Sequence, residues 1–280
     1  MQHIFKSYLK FLWNSTNAHG VHSPFVFDLI RKCFYDNTDY SAYKVLNDYR
    51  NSLLQNRNTI EVTDFGAGSR VFKSNTRAIN KIAENAGISP KDAKLLFRVV
   101  NYFQPEKVLE IGTSLGLATS ALALGNPNSY ILSLEGCNNT LSIAENLFNE
   151  NFSDFNFEFV NTEFSCLLKS YNQQPQTFDL VYFDGNHSKE ATLHYFELLL
   201  PTISNETVWI FDDIHWSSGM EEAWELIKRH PKVTVTIDTF QWGFVFFRKE
   251  QEKEHFTIRT SKSFVLDNIL GVKNLWGLLH

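Results

Sequence analysis

Asp184, His187, Asp212 and Asp213 are the residues whose types and spacing point most directly to chemistry. Each acidic position follows an apolar run, at 178–183 or 207–211, that reads as a buried strand. If these strands are parallel neighbours, about 4.8 Å apart, their terminal carboxylates converge on one point. Three carboxylates at one point repel, a cation relieves the repulsion, and all-oxygen ligation favours Mg²⁺, Ca²⁺ or Mn²⁺ over zinc. His187 lies three residues after the first aspartate, and an imidazole acts as a base near neutral pH without a large pKa shift. Plainer readings stand beside these: a helix cap for Asp184, a loop turn for Asp212 and Asp213.

A second group, Glu110, Gly112, Thr113, Ser114 and Gly116, has the order E-x-G-x-x-x-G between an apolar run at 107–111 and an alanine-rich helical run at 117–124. That order reads as strand, tight turn and helix. Glycine there tolerates positive φ and lets a ligand approach the backbone, while the helix N–H groups attract negative or polar atoms. The three-glycine spacing of a dinucleotide site is absent. A carboxylate at Glu110 would repel phosphate and attract a cation, which suits a ligand with an amino-acid end and a positive sulfonium. Glu135 ends the next apolar run, about twenty residues beyond the turn, where an acid can bond both hydroxyls of a ribose.

The elements that position these groups alternate strand and helix from residue 89 onward, the pattern of a parallel, doubly wound α/β sheet. Ser89, Pro90 and Asp92 signal a helix start, and Ala93, Leu96, Phe97, Val100 and Phe103 form its inward face. Strands are expected at 107–111, 130–134, 155–159, 178–183 and 207–211. Two more, 233–240 and 244–248, are joined by Gln241, Trp242 and Gly243 into an antiparallel hairpin.

The glycine turn resembles motif I of the class I S-adenosylmethionine-dependent methyltransferases, and the terminal hairpin resembles the end of their fold. The resemblance covers about residues 90 to 250. It implies a Rossmann-like, seven-stranded, mostly parallel sheet with a C-terminal antiparallel hairpin, preceded by an N-terminal helical extension. It also implies a cofactor pocket built from Glu110, Gly112, Thr113, Ser114, Gly116, Glu135 and Asp184, with Glu163 after the third strand as the candidate contact to the adenine. Asp184, Asp212 and Asp213 are similar to the metal-binding acids of the metal-dependent O-methyltransferases of the catechol and caffeoyl-coenzyme A type. Those families commonly carry a lysine base where this chain has His187. Asp184 and His187 are accordingly the expected catalytic residues. O-methylation of a small hydroxylated molecule, aided by Mg²⁺, Ca²⁺ or Mn²⁺, is the implied activity. A non-catalytic cofactor-binding or assembly protein on the same fold, or a metal-independent transferase to nitrogen or a macromolecule, is the alternative.

The 280 residues divide on this reading into an extension and loop (1–88), the methyltransferase domain (89–250) and a tail (251–280) docking on the domain or a partner subunit. With 43% hydrophobic residues and 25 Phe, the chain can bury a sizeable core. A net charge of -5 offers no basic footprint for nucleic acid. Cys33, Cys137 and Cys166 lack disulfide or zinc spacing and fit reduced thiols in the cytoplasm. No signal peptide or membrane span is expected. Ile4, Phe5, Tyr8, Leu9, Leu12 and Trp13 recur at helical spacing. That helix and the apolar tail (Phe264, Leu266, Ile269, Leu270, Leu275, Trp276, Leu279) are the candidate surfaces for a homodimer. His19 and His22 have no nearby ligand to complete a metal site. The glycine-rich stretch from Asp64 to Arg70 reads as a structured loop over the core. Trp216, Trp242 and His215 read equally as pocket walls and as packing groups.

Overall fold

The computed structural model describes residues 2–63, 74–173 and 176–261. The glycine-rich stretch 64–70 and the apolar tail from 262 lie outside them. The chain forms two compact units, one of residues 38–204 and one that combines residues up to 37 with those from 205. The second of these opens with helix α1 (Gln2–Asn14). Its buried residues are Ser7 and Phe11, with the Phe11 and Tyr8 rings 5.5 and 4.8 Å from that of Phe240. Phe5, Leu9 and Trp13, apolar by type, are on the exposed side. Helix α2 (Pro24–Leu29) starts on the Ser23 hydroxyl, which accepts the Val26 N–H, and runs into a π-helical turn, Ile30–Phe34.

The unit of residues 38–204 begins with α3 (Ala42–Gln55), a short antiparallel pair of β1 (Thr59–Glu61) and β2 (Thr76–Ala78), and α4 (Ile79–Asn85). Helix α5 (Pro90–Phe103) follows with the start its sequence announced: the Ser89 hydroxyl accepts the Asp92 N–H and Pro90 occupies the first turn. It ends on Gln104 in the left-handed region, just before Pro105. Then come β3 (Lys107–Ile111), α6 (Leu117–Gly125), β4 (Tyr130–Glu135), α7 (Asn138–Asn151), β5 (Asn156–Asn161), α8 (Phe164–Gln173), β6 (Leu180–Phe183) and α9 (Lys189–Leu199).

The four long strands are parallel and ordered β6-β3-β4-β5. The chain therefore moves outward from β3 through β4 to β5, then returns to the other side of β3. Such a reversal leaves a crevice at the carboxyl ends of the two strands it separates. The register pairs Ile111 with both Leu134 and Phe183, so Gly112, Glu135 and Asp184 leave their strands at one edge. Beneath, Phe148 packs within 4.7 to 5.8 Å of the rings of Tyr49, Phe152, Phe157 and Phe159.

The other unit resumes with β7 (Val208–Asp212), α10 (Ser218–Arg229), β8 (Val235–Asp238), β9 (Trp242–Phe246) and β10 (Glu254–Thr257). Strand β9 runs antiparallel to both β7 and β8, giving the expected hairpin, and β10 lies parallel to β8. The expected count of seven strands is corrected to eight by β10. Within β10 only Phe256 is buried, so its sequence lacks the apolar run that marks the others. Just past its end, Ile258 bridges Thr16, and the Arg259 guanidinium donates to the carbonyl and hydroxyl of Ser15. Among the described residues no helix is long and apolar enough to cross a membrane.

Phe148 is fully buried, and a truncated core phenylalanine costs about 3–5 kcal/mol. Urea denaturation of Phe148→Ala should show a loss of that size. A loss below about 1 kcal/mol would mean that the surrounding rings close over the gap.

Candidate functional site

In the unit of residues 38–204, the loop after β3 turns on two glycines with positive φ, Gly112 at 103° and Gly116 at 76°. At Gly112 a Cβ would stand 2.5 Å from the Asp184 carbonyl oxygen. The absence of a side chain therefore lets the β3 and β6 loops touch. Ser114, at φ 48°, also takes the left-handed conformation. Its N–H donates to Glu135 Oε2 at 2.8 Å, and the Cys137 N–H donates to Glu135 Oε1 at 2.9 Å. The acid at the end of β4 is thus fastened to the glycine loop. Thr113 shares a hydroxyl hydrogen bond with Ser133.

Glu110 is entirely buried, and one of its oxygens accepts the hydroxyls of Thr119 and Ser133. The other is buried without a hydrogen-bond partner among the described residues. Burial pushes its carboxyl up to about 8, against the pull of Ser133 and Thr119, and the charges of Asp184 and Glu135 add to the rise. Glu110 therefore carries a proton near neutral pH and acts on the loop from below. Burial also raises Glu135, against three backbone hydrogen bonds, and Asp184 adds to it.

After β6, His187 Nε2 lies 3.4 Å from Asp184 Oδ1, both half-buried. Asn186 between them has φ 52°. Glu163, beyond β5, is exposed and accepts the Cys166 thiol at 3.1 Å; that bond and one from Ser165 hold its carboxyl below the usual range. A small pocket beside the loop is lined by Thr113, Ser114 and Asp184 and by Ile82, Ala83 and Gly87. The last three belong to the end of α4 and the turn after it, a segment without a role in the expectations above. Another support, Tyr49 on α3, donates its hydroxyl to the Leu115 carbonyl at 2.8 Å; burial raises this phenol further, as does the Glu110 charge. Nothing local in the sequence links residues 49 and 115.

In the unit formed by the chain ends, Asp212 closes β7 and Asp213 follows with φ 54°. A single amide group, Gln241 Nε2, donates to Asp212 Oδ1 and Asp213 Oδ1, each at 2.8 Å. In the sequence Gln241 reads only as a turn residue. His215 is held between Glu221 Oε1 at 2.8 Å and Asp238 Oδ2 at 2.9 Å, and its ring stacks on Phe240 at 5.1 Å. Burial lowers its pKa, but the two carboxylates outweigh this and raise it overall. Trp242 is buried, and Trp224 packs against Gly243, where a Cβ would stand 2.6 Å from the indole.

Residues 109–214 match the family model described as a methyltransferase domain. Solved structures with the same fold include an O-methyltransferase from Bacillus cereus in complex with SAH: 19% identity, TM-score 0.50, 75% of this chain and 90% of that one covered. TomG from Streptomyces achromogenes, an O-methyltransferase involved in tomaymycin synthesis and solved with SAM, shows 14% identity over 75% and 91% of the two chains, TM-score 0.53. The SAH-bound methyltransferase PaMTH1 from Podospora anserina shows 11% identity over 82% and 98%, TM-score 0.56. The fold is the Rossmann-like α/β fold of class I methyltransferases. Residues 109–214 of the chain thus hold a methyltransferase domain on that fold.

The state of Glu110 is testable through pH. Its folded pKa, about 8, stands above the ordinary 4.5; the folded chain therefore binds more protons between these values, and stability falls as pH rises through that window. Glu110→Gln keeps an uncharged group of the same shape and should flatten this slope in urea titrations from pH 5 to 8. An unchanged slope would place the titration elsewhere.

Proposed function

We propose that this methyltransferase binds S-adenosylmethionine at the glycine loop of residues 110–116 and methylates an oxygen of a small hydroxylated molecule with the help of a divalent cation. The observation that carries the reading is the bond from the Ser114 N–H to Glu135. It joins the loop suited to the amino-acid end of the donor to the carboxylate suited to its ribose, beside a small pocket. The proposed cofactor residues are Gly112, Thr113, Ser114, Gly116, Glu135 and Asp184, with Glu163 toward the adenine; Glu110, expected to face the donor as a carboxylate, is buried beneath the loop and supports it instead. The O-methyltransferases solved with SAM or SAH on this fold support the choice of donor.

When bound, S-adenosylmethionine supplies an electrophilic methyl on a sulfonium, and a divalent cation lowers the pKa of the acceptor hydroxyl. The chain must hold donor and acceptor in line, take up a proton and exclude water. His187 is the proposed base. The Asp184 carboxylate, 3.4 Å from Nε2, stabilises the imidazolium formed when the ring accepts the acceptor's proton. Asp184, Asp212 and Asp213 are the proposed ligands of the cation. Their hard oxygens suit Mg²⁺, Ca²⁺ or Mn²⁺, and Asp212 and Asp213 direct one oxygen each at a shared electropositive group, the Gln241 amide. Residues 89–250 carry the chemistry, flanked by the extension and the tail. Three free cysteines and a net charge of -5 support a cytoplasmic protein without a nucleic-acid partner. The exposed apolar side of α1 supports a homodimer contact through the terminal extensions.

Calorimetry with S-adenosylmethionine, with and without Mg²⁺, tests the reading, followed by turnover on phenolic and polyol acceptors. Glu135→Ala should weaken donor binding about tenfold or more, roughly 1.4 kcal/mol. His187→Ala should lower turnover while donor affinity stays within about twofold, well under the roughly 1.4 kcal/mol of a tenfold change. Wild-type protein that binds no donor would sink the assignment, and donor binding with metal-indifferent turnover would remove the cation from it.

A further inference from the structure

We propose that Gln241 is a positioning residue that preforms the Asp212 and Asp213 carboxylates as a cation-binding pair; this rests on the cation reading above. Two like charges held at adjacent positions repel and rotate apart unless a donor or cation lies between them. Here one amide nitrogen takes that place, with equal bonds of 2.8 Å to an oxygen of each.

The backbone is built to put it there. In the antiparallel register of β7 and β9, Asp212 faces Trp242, so the residue before Trp242 projects level with the residue after Asp212. The turn that presents Gln241 is fastened at several points. Asp238 Oδ1 accepts the Phe240 N–H at 2.8 Å, and the Thr239 hydroxyl donates to the Trp242 carbonyl at 2.9 Å while accepting the Trp242 N–H at 3.2 Å. Phe240 adopts φ 75°, a conformation costly for a bulky side chain and held only where surrounding contacts over-determine it, and Asp213 adopts φ 54°, which aspartate tolerates more readily. His215 supplies such contacts, stacking on Phe240 while bonding Asp238 and Glu221. The strain held at Phe240, next to the amide, fits a preorganised group.

The amide contributes neutral donors that a cation's positive charge can supplant. Without it the pair loses the donor that its two oxygens share, and the cation must do more of the ordering on binding. Removing a group that orients metal ligands typically weakens metal affinity about 10–100-fold.

The test is Mn²⁺ binding to the full chain, followed by electron paramagnetic resonance and calorimetry in the presence of S-adenosylmethionine, for wild type, Gln241→Ala, Gln241→Glu and Gln241→Asn. Gln241→Ala should bind Mn²⁺ about 10–100-fold more weakly, with donor affinity and the cation-free unfolding temperature close to wild type. Gln241→Glu replaces the donors with a third carboxylate. It should unfold at lower temperature without cation and recover more than wild type when Mn²⁺ is added. Gln241→Asn keeps an amide on a shorter arm and should fall between Ala and wild type. Equal Mn²⁺ affinity in wild type and Gln241→Ala would overturn the role of Gln241 alone. Absence of Mn²⁺ binding by a wild-type protein that binds the donor would overturn the cation reading itself, and this role with it.

Discussion

The bond between the Ser114 backbone and the Glu135 carboxylate is the constraint on which the unit of residues 38–204 turns. A carboxylate at the end of a parallel strand, left alone, points into water. Here it accepts N–H groups from the neighbouring strand's loop and from its own helix start, so the positions of β3 and β4 and the loop conformation become one variable. The loop can reach it only because Gly112 lies against the Asp184 backbone without a side chain, which brings β6 into the same arrangement. Three strand ends are thereby locked around one crevice.

The most deeply buried acid at this edge is the one kept uncharged. Glu110 keeps a proton through burial, leaving Glu135 and Asp184 as the acids nearer the pocket. A fully charged trio would oppose assembly of the loop. A protonated acid below it keeps the hydroxyls of Thr119 and Ser133 in place without adding to the repulsion.

Where sequence and structure agree, the cause is local. Strands β3, β4, β6 and β7 are short apolar runs ended by an acid or a glycine turn, and such runs have few other ways to be buried. The start of α5 was readable from Ser89, Pro90 and Asp92 because a cap acts within one turn. Strand β10 was not, since its only buried residue is Phe256 and its place comes from pairing with β8. The site divides along the same line. Strand-end acids and glycines are visible as residue types, whereas Tyr49 reaches Leu115 across 66 residues and Gln241 meets Asp212 across 29, distances set by tertiary register alone.

The bridge from Thr16 to Ile258 and the grip of Arg259 on Ser15 bear on the order in which the molecule is made. Partners 244 positions apart cannot meet until nearly all of the described chain has been synthesised. The central unit of residues 38–204 uses only contiguous chain and can fold as it emerges, since domains generally fold as units during synthesis. Helix α1, made early, must wait for the strands of its own unit, with Phe11 meanwhile in water. Chain closure is thus open to the molecule only once synthesis has passed Ile258 and Arg259, the partners of Thr16 and Ser15.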